Sequence, residues 1–279
     1  MQICHLRIGG DTIPAIKDGA GHRDARSLTS AFDADFFASG GVATLRGADL
    51  AALPLIDGFD SFGPCVTKPS KIVCVGLNYV NHAKEAGMEI PKEPVIFFKA
   101  PSSLAGANDP ILMPPGCEML DWEVELAFVI GTRCKRASTE NALSHVAGYM
   151  ILNDVSDRHA QMFRGGQWAK GKSYDSFTPI GPYLDLDVAD PHNLTLTLSV
   201  NGEEMQIGST SDFIFDLPAV IAHISEFMTL APGDIITTGT PAGVGFGMDP
   251  KRFLKVGDRV ETTVTGLGAQ AQMVEADAV

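Results

Sequence analysis

The chain has 279 residues, 45% hydrophobic and 20% charged, which gives enough apolar material for one large folded domain with a small appendage and excludes a largely disordered polypeptide. A formal charge of −13 disfavours nucleic acid and anionic membrane surfaces as partners, and no apolar run reaches the roughly 18 residues that a membrane helix needs. The five cysteines, Cys4, Cys65, Cys74, Cys117 and Cys134, are odd in number and form no CxxC pair, so neither a disulfide framework nor a zinc knuckle is expected. With no basic segment leading into an apolar one at the start, the chain reads as a soluble protein of the reducing cytoplasm.

Residues 1–65 combine a β-like piece, Ile3 to Ile8, with small polar residues of little periodicity, and are expected to form a small N-terminal lobe. The Pro- and Gly-marked stretch FGPCVTKPSK (62–71) separates it from a main domain, residues 66–279, that opens with the apolar strand KIVCVG. In NYVNHAKEAG, Asn78 is placed to cap a short helix and Gly87 to end it in a left-handed conformation. Strands are expected at PVIFFK (94–99), DWEVELAFVIG (121–131) and GYMILND (148–154), with helices around Thr139–His145 and from Ser156 to about Phe163. LTLTLSV (194–200) alternates strictly and turns through Asn201-Gly202 into EEMQIG (203–208), a hairpin pattern. The most helical stretch is 214–230, and three last strands follow it: IITTG, RVETTVTG and AQAQMVE. This order is a strand-rich α+β arrangement, not a regular βαβ alternation.

Glu123 and Glu125 are two apart in the strand-like DWEVEL, so their side chains share a face about 6.6 to 7 Å apart. Asp154 follows in ILNDVSDR. An unpaired charge among Val124, Leu126 and Phe128 is costly, and three hard-oxygen donors favour Mg²⁺ or Mn²⁺ as the compensating ion. The same residues also fit a solvated strand face and a helix cap. His82 and Glu85, at i and i+3, fit either an imidazole oriented by a carboxylate or an exposed helix decoration. Lys172, in the Gly-bracketed GKSYDSF, fits either a contact to a substrate carboxylate or a surface lysine. Arg158 and Gln161 follow Asp154 by four and seven residues and can face the same site, although Arg158 can also pair with Asp157 or Asp154. TTGTPAGVGFG (237–247) lacks the GxxxxGK[ST] spacing of a phosphate loop; it reads as a loop presenting backbone N–H groups and the Thr240 hydroxyl to a carboxylate, or as a plain turn. There is no GxSxG, and the cysteines have no activating context.

Taken together, VGLNYVNHAKEAG, PVIFFKAPSSLAG, DWEVELAFVIG, NDVSDR, QWAKGKSYDSFTPIGP and LAPGDIITTGTPAGVG resemble the fumarylacetoacetate hydrolase family over about residues 71–268. The resemblance implies a mixed β-roll fold, a homodimer, and one Mg²⁺ or Mn²⁺ per chain on Glu123, Glu125 and Asp154. It implies further that His82 and Glu85 activate water and that Lys172 and Thr240 contact substrate, as do the positions of Arg158 and Gln161. The family's namesake has a further carboxylate ligand where this chain has the apolar IVCVG with Val75, which places the chain in a three-carboxylate branch. The activity implied is hydrolysis of a 2,4-dioxo acid, an acylpyruvate or diketo-deoxy sugar acid, to pyruvate and a carboxylic acid. The alternatives are an isomerase or decarboxylase of the oxaloacetate or hydroxyheptadienedioate type, a ureidoglycolate lyase, or a non-catalytic metal-binding protein. The partner is a small keto acid, its acyl end expected to be read by loops 100–110 and 203–213.

Overall fold

A computed structural model of the protein describes residues 1–85 and 87–278. In chain order its elements are β1 (Gln2–Ile8), β2 (Asp11–Asp18), β3 (Gly21–Asp24), α1 (Ala34–Ala38), α2 (Gly41–Gly47), β4 (Ser61–Gly63), β5 (Ile72–Gly76), α3 (Val80–Glu85), β6 (Val95–Lys99), β7 (Leu104–Ala105), β8 (Ile111–Met113), β9 (Leu120–Asp121) and β10 (Val124–Ile130). They continue as β11 (Val146–Asn153), β12 (Ser156–Asp157), α4 (Arg158–Phe163), α5 (Ala169–Lys172), β13 (Thr178–Pro179), β14 (Leu184–Asp185), β15 (Thr195–Val200), β16 (Glu203–Ser209), α6 (Leu217–Phe227), β17 (Ile235–Thr237), β18 (Arg259–Val264) and β19 (Gly268–Ala276).

Every residue of β10 is buried, which explains why VELAFVI reads as a nearly continuous apolar run: the strand is covered on both faces. Among the described residues the main sheet has ten strands in the order β3-β2-β1-β14-β11-β10-β17-β5-β6, with β4 paired to β1. Most of its ladders are antiparallel, but β17 and β5 run parallel. One face of this sheet, carrying Val73, Val75, Val124, Leu126, Phe128 and Ile151, packs on a second sheet, β16-β15-β18-β19-β8, and on α6. The other face, with Ile72, Cys74, Ala127, Val129, Met150 and Leu152, packs on Phe32, Phe36, Phe37 and Leu45 around α1 and α2. The strand-rich α+β class is therefore the one expected.

Residues 1–65, expected as a small lobe, are joined to the rest through the sheet itself. β1 pairs with β14 as well as with β2 and β4, so the boundary at 65/66 does not interrupt the hydrogen-bonded ladder. The sequence does not show this because the pairing of β1 depends on β14, some 180 residues later, and leaves no local pattern. His5 stitches the segment further. Its Nδ1 lies 2.8 Å from the Pro64 carbonyl oxygen, while Nε2 accepts the Phe32 N–H at 3.1 Å, an arrangement that requires the neutral ring.

Smaller expectations also shift. Gly87 does adopt a left-handed conformation, and so do Asn201 and Gly202 in the β15–β16 turn, as a two-residue hairpin requires. Asn78 does not cap α3; its amide donates to the Phe215 and Thr238 carbonyls and so ties two distant loops together. The helix expected over 139–145 is a short 3₁₀ turn, Ala142–His145. The helix expected from Ser156 starts at Arg158, because Asp157 takes the cap by accepting the N–H groups of His159 and Ala160. α6 is confined to 217–227 by its cap Asp216 and by Pro218 in its first turn.

Burial holds the His5 imidazole below its ordinary value of 6.5, even though the Pro64 carbonyl and Asp33 favour the charged form. The unfolded chain therefore binds more protons than the folded one as pH falls below 6.5, so this contribution to stability is intact above that pH and is lost beneath it. In urea unfolding, His5→Gln should be less stable than wild type at about pH 7.5 and should recover part of that deficit at about pH 5. A deficit constant across that range contradicts the assignment.

Candidate active site

The β10–β11 register sets Val124 opposite Asn153, which brings the residue just before one strand beside the residue just after the other. Asp154 N–H donates to the Glu123 carbonyl at 2.8 Å, and the Asn153 side-chain oxygen accepts the Glu123 N–H at 3.0 Å. Alternation along β10 then turns Glu125 away from the Val124–Leu126 face. The result is that Glu123, Glu125 and Asp154 offer carboxylate oxygens within 4.8 Å of one another, all three side chains buried.

Three cations compensate this cluster. Lys172 Nζ donates to Glu123 at 2.8 Å and to Asp154 at 2.7 Å; Lys99 Nζ donates to Asp154; Arg158 pairs with Asp121 at 2.7 Å and with Glu123 at 2.6 Å. Burial alone would push Glu123 up, but Lys172 and Arg158 outweigh it and hold its carboxyl at about 2. Glu125 has no such partner among the described residues; it accepts the Gly239 N–H at 3.0 Å. Burial, then the charges of Asp154 and Glu123, push its carboxyl well above the usual carboxylate range. Three hard oxygens in reach of one point, one of them uncompensated, fit a divalent cation such as Mg²⁺ or Mn²⁺.

Opposite this cluster lies α3, which a left-handed turn at Leu77 (φ 56°) carries back over the end of β5. The His82 Nδ1 is 3.4 Å from Glu85 Oε2, and the Glu85 carboxylate accepts the Gly243 N–H at 3.0 and 3.1 Å. A Cβ at Gly247 would lie 2.3 Å from the Glu85 Cγ, so glycine there is what lets the loop close on that side chain. His82, Glu123, Glu125, Arg158, Gln161, Lys172 and Thr240 all line one cleft. Glu85 stands behind it.

Two expectations are corrected in detail. The 237–247 loop does present N–H groups to carboxylates, but to the protein's own: Gly239 to Glu125, Gly243 to Glu85, and Gly245 and Phe246 to Asp121 at 2.7 and 3.0 Å. The Thr240 hydroxyl donates to the Val124 carbonyl at 2.9 Å and accepts from Gln206 at 2.8 Å, so its proton serves the fold. Lys172 ends α5 and does not sit in an open loop; Gln161 accepts from Arg158 at 3.1 Å. Sequence reasoning missed Asp121 and Lys99. The available signal was slight: a buried lysine is rare without a partner, and Lys99 closes an otherwise apolar strand.

Residues 71–275 match the family model described as fumarylacetoacetate (FAA) hydrolase C-terminal. A protein of Burkholderia cenocepacia named as a hydrolase is 47% identical over 98% of both chains. Among solved structures, maleylpyruvate hydrolase from Sphingobium sp. SYK-6, in complex with manganese(II) and pyruvate, is 30% identical with a TM-score of 0.80 over the whole of both chains. A 2-hydroxyhepta-2,4-diene-1,7-dioate isomerase from Mycobacterium marinum is 31% identical with a TM-score of 0.76, again over all of both chains.

Glu125→Gln should separate metal affinity from stability. Removing the uncompensated carboxylate leaves the metal-free protein at least as thermostable as wild type, while Mn²⁺ affinity by titration calorimetry falls about 100-fold or more, beyond the loss typical of residues that only support a ligand.

Proposed function

The chain belongs to the fumarylacetoacetate hydrolase family, and from that premise we propose that it is a metal-dependent hydrolase cleaving the C3–C4 bond of a 2,4-dioxo acid, giving pyruvate and a carboxylic acid. The observation that carries the proposal is that two different devices reach one cleft, the three-carboxylate cluster through Glu123 and Glu125 and the His82–Glu85 pair through His82. The neighbour holding manganese and pyruvate supports it, since pyruvate is the product expected here.

Glu123, Glu125 and Asp154 would hold magnesium or manganese, which would supply Lewis-acid charge at the 2-oxo acid end of the substrate. His82, oriented by Glu85, takes a proton from water, and the hydroxide adds to the C4 carbonyl. The C3–C4 bond then breaks with its electron pair passing to C3 and the 2-oxo group, and the proton on His82 is returned to C3 to complete the methyl group of pyruvate. Lys172 and Arg158 keep the Glu123 carboxylate ionised, and their ion pairs hold it in place with Asp154 and Asp121, so little reorganisation accompanies the charge movement. The dyad's aim depends on Gly243, which fixes Glu85. We take the protein to be a homodimer, as the sequence resemblance implies, and a cytoplasmic one, as its scattered, odd-numbered cysteines suggest.

An isomerase or decarboxylase is the second reading, favoured by the isomerase among the solved neighbours. Both chemistries use the carboxylate cluster, but neither needs an attacking water. With Mn²⁺ present, His82→Ala and Glu85→Ala should lower kcat on an acylpyruvate by about 10²- to 10⁴-fold while Mn²⁺ affinity is retained. Unaltered acylpyruvate cleavage in both variants contradicts the hydrolytic role; oxaloacetate decarboxylation that survives them, with no acylpyruvate cleavage in wild type, selects the second reading.

A further inference from the structure

The cleft is polar at one end only. Its charged lining residues, His82, Glu123, Glu125, Arg158 and Lys172, gather at the carboxylate floor, and Arg158 and Lys172 already carry two carboxylate partners each. The rest of the lining includes Phe97, Trp168, Met162, Met88, Val244 and Phe246, all uncharged; Lys251 stands outside the lining with its Nζ 3.3 Å from the Phe246 ring centroid, so among the described residues the stretch without a neighbouring unpaired cation is the one formed by Trp168 and Phe97. Loops 100–110 and 203–213, expected to read the acyl group, contribute nothing to this lining.

Trp168 and Phe97 form an apolar wall. Their rings meet edge to face with centroids 5.3 Å apart, and both side chains are half-buried. Lys172 Nζ sits 5.2 Å from the Phe97 centroid and so marks where the polar floor ends and the apolar wall begins. Gly76 permits this placement: a Cβ there would come within 2.8 Å of the Trp168 ring. Met162, 39% exposed, and Met88, 43% exposed, flank the opening, where flexible thioethers adapt to apolar groups of varied shape.

Resting on the acylpyruvate reading above, we propose that the acyl end of the substrate is apolar and uncharged and seats on Trp168 and Phe97, so that the chain takes monocarboxylic 2-oxo acids in preference to dicarboxylic ones. A second carboxylate seated between Trp168 and Phe97 would lose part of its water and, among the described residues, would meet there only Lys172, whose ammonium is already paired with Glu123 and Asp154. A phenyl or alkyl group there buries apolar surface against two rings.

Binding of two uncleavable probes tests this on manganese-loaded protein by titration calorimetry. Because neither 2-oxo-4-phenylbutanoate nor 2-oxoglutarate has the 4-oxo group that hydrolysis needs, the result does not depend on catalysis. Wild type should bind the phenyl compound about tenfold or more tightly than 2-oxoglutarate. Trp168→Ala should lose about tenfold for the phenyl compound and leave pyruvate affinity unchanged, Trp168→Phe should keep most of the preference, and Gly76→Ala, which displaces the ring, should weaken it. Equal or tighter binding of 2-oxoglutarate, loss of pyruvate affinity in step with the phenyl compound, or binding of neither probe overturns the proposal. A preference for the phenyl probe in a protein that cleaves no acylpyruvate leaves this inference standing and removes only the hydrolase reading.

Discussion

Everything at this site follows from the cost of keeping carboxylates out of water. Asp121, Glu123, Glu125 and Asp154 are all nearly inaccessible, in a region where each unpaired charge would cost several kcal/mol. Lys99, Lys172 and Arg158 meet that cost for three of them with fixed ion pairs, and Glu125 is left over. The protein thus holds a fixed network with one carboxylate left without an ion-pair partner among the described residues, an arrangement that fits a divalent cation. Were every carboxylate matched by its own lysine or arginine, the cluster would be stable and unable to bind a metal.

The same ion pairs carry mechanical information. Arg158 joins Glu123 to Asp121; Asp121 accepts the N–H groups of Gly245 and Phe246; and that loop, through Gly243, holds Glu85. The carboxylate cluster and the His82–Glu85 pair come from segments about 40 residues apart in the chain, yet one continuous path of hydrogen bonds and ion pairs relates them. Glycine is required along that path because the loop approaches Glu85 and the carbonyl of Arg252 too closely for a side chain: a Cβ at Gly245 would lie 1.8 Å from that oxygen. The glycine-rich stretch is therefore a clamp on the protein's own side chains, and its anion-binding geometry is used internally.

This explains which parts of the molecule the sequence revealed. Period-2 strands and the Asn201-Gly202 turn are local patterns and stand where they were expected, whereas the single strand expected over 121–131 is broken into β9 and β10, with Glu123 in the break and Glu125 in β10. Whether Glu123 and Glu125 faced solvent or one another's charge was not a local question; it depended on β11 delivering Asp154 in register and on Lys172 arriving from α5. Asp121 lay in plain view beside Trp122 but looked like the edge of a motif, since its partners sit 37 and 124 residues away. The attachment of residues 1–65 was hidden for the same reason. Their contribution is to cover the second face of β10 and β11 with Phe32, Phe36 and Phe37, without which those strands would not be buried on both sides.

Stability alone does not account for such a cluster. Replacing a buried ion network by apolar residues of similar volume is commonly neutral or stabilising, so seven ionisable groups gathered at the end of a sheet are kept at a thermodynamic disadvantage. Perturbed carboxyls beside a cleft are the usual mark of a working site. Here the perturbation is of opposite sign on neighbouring glutamates, Glu123 pulled down and Glu125 pushed up, although both are buried. Burial acts on both in the same direction; the neighbouring charges set them apart, Lys172 and Arg158 foremost beside Glu123, Asp154 and Glu123 beside Glu125. The cations thus hold one of two neighbouring glutamates ionised and leave the other without an ion-pair partner among the described residues, a difference that burial does not impose.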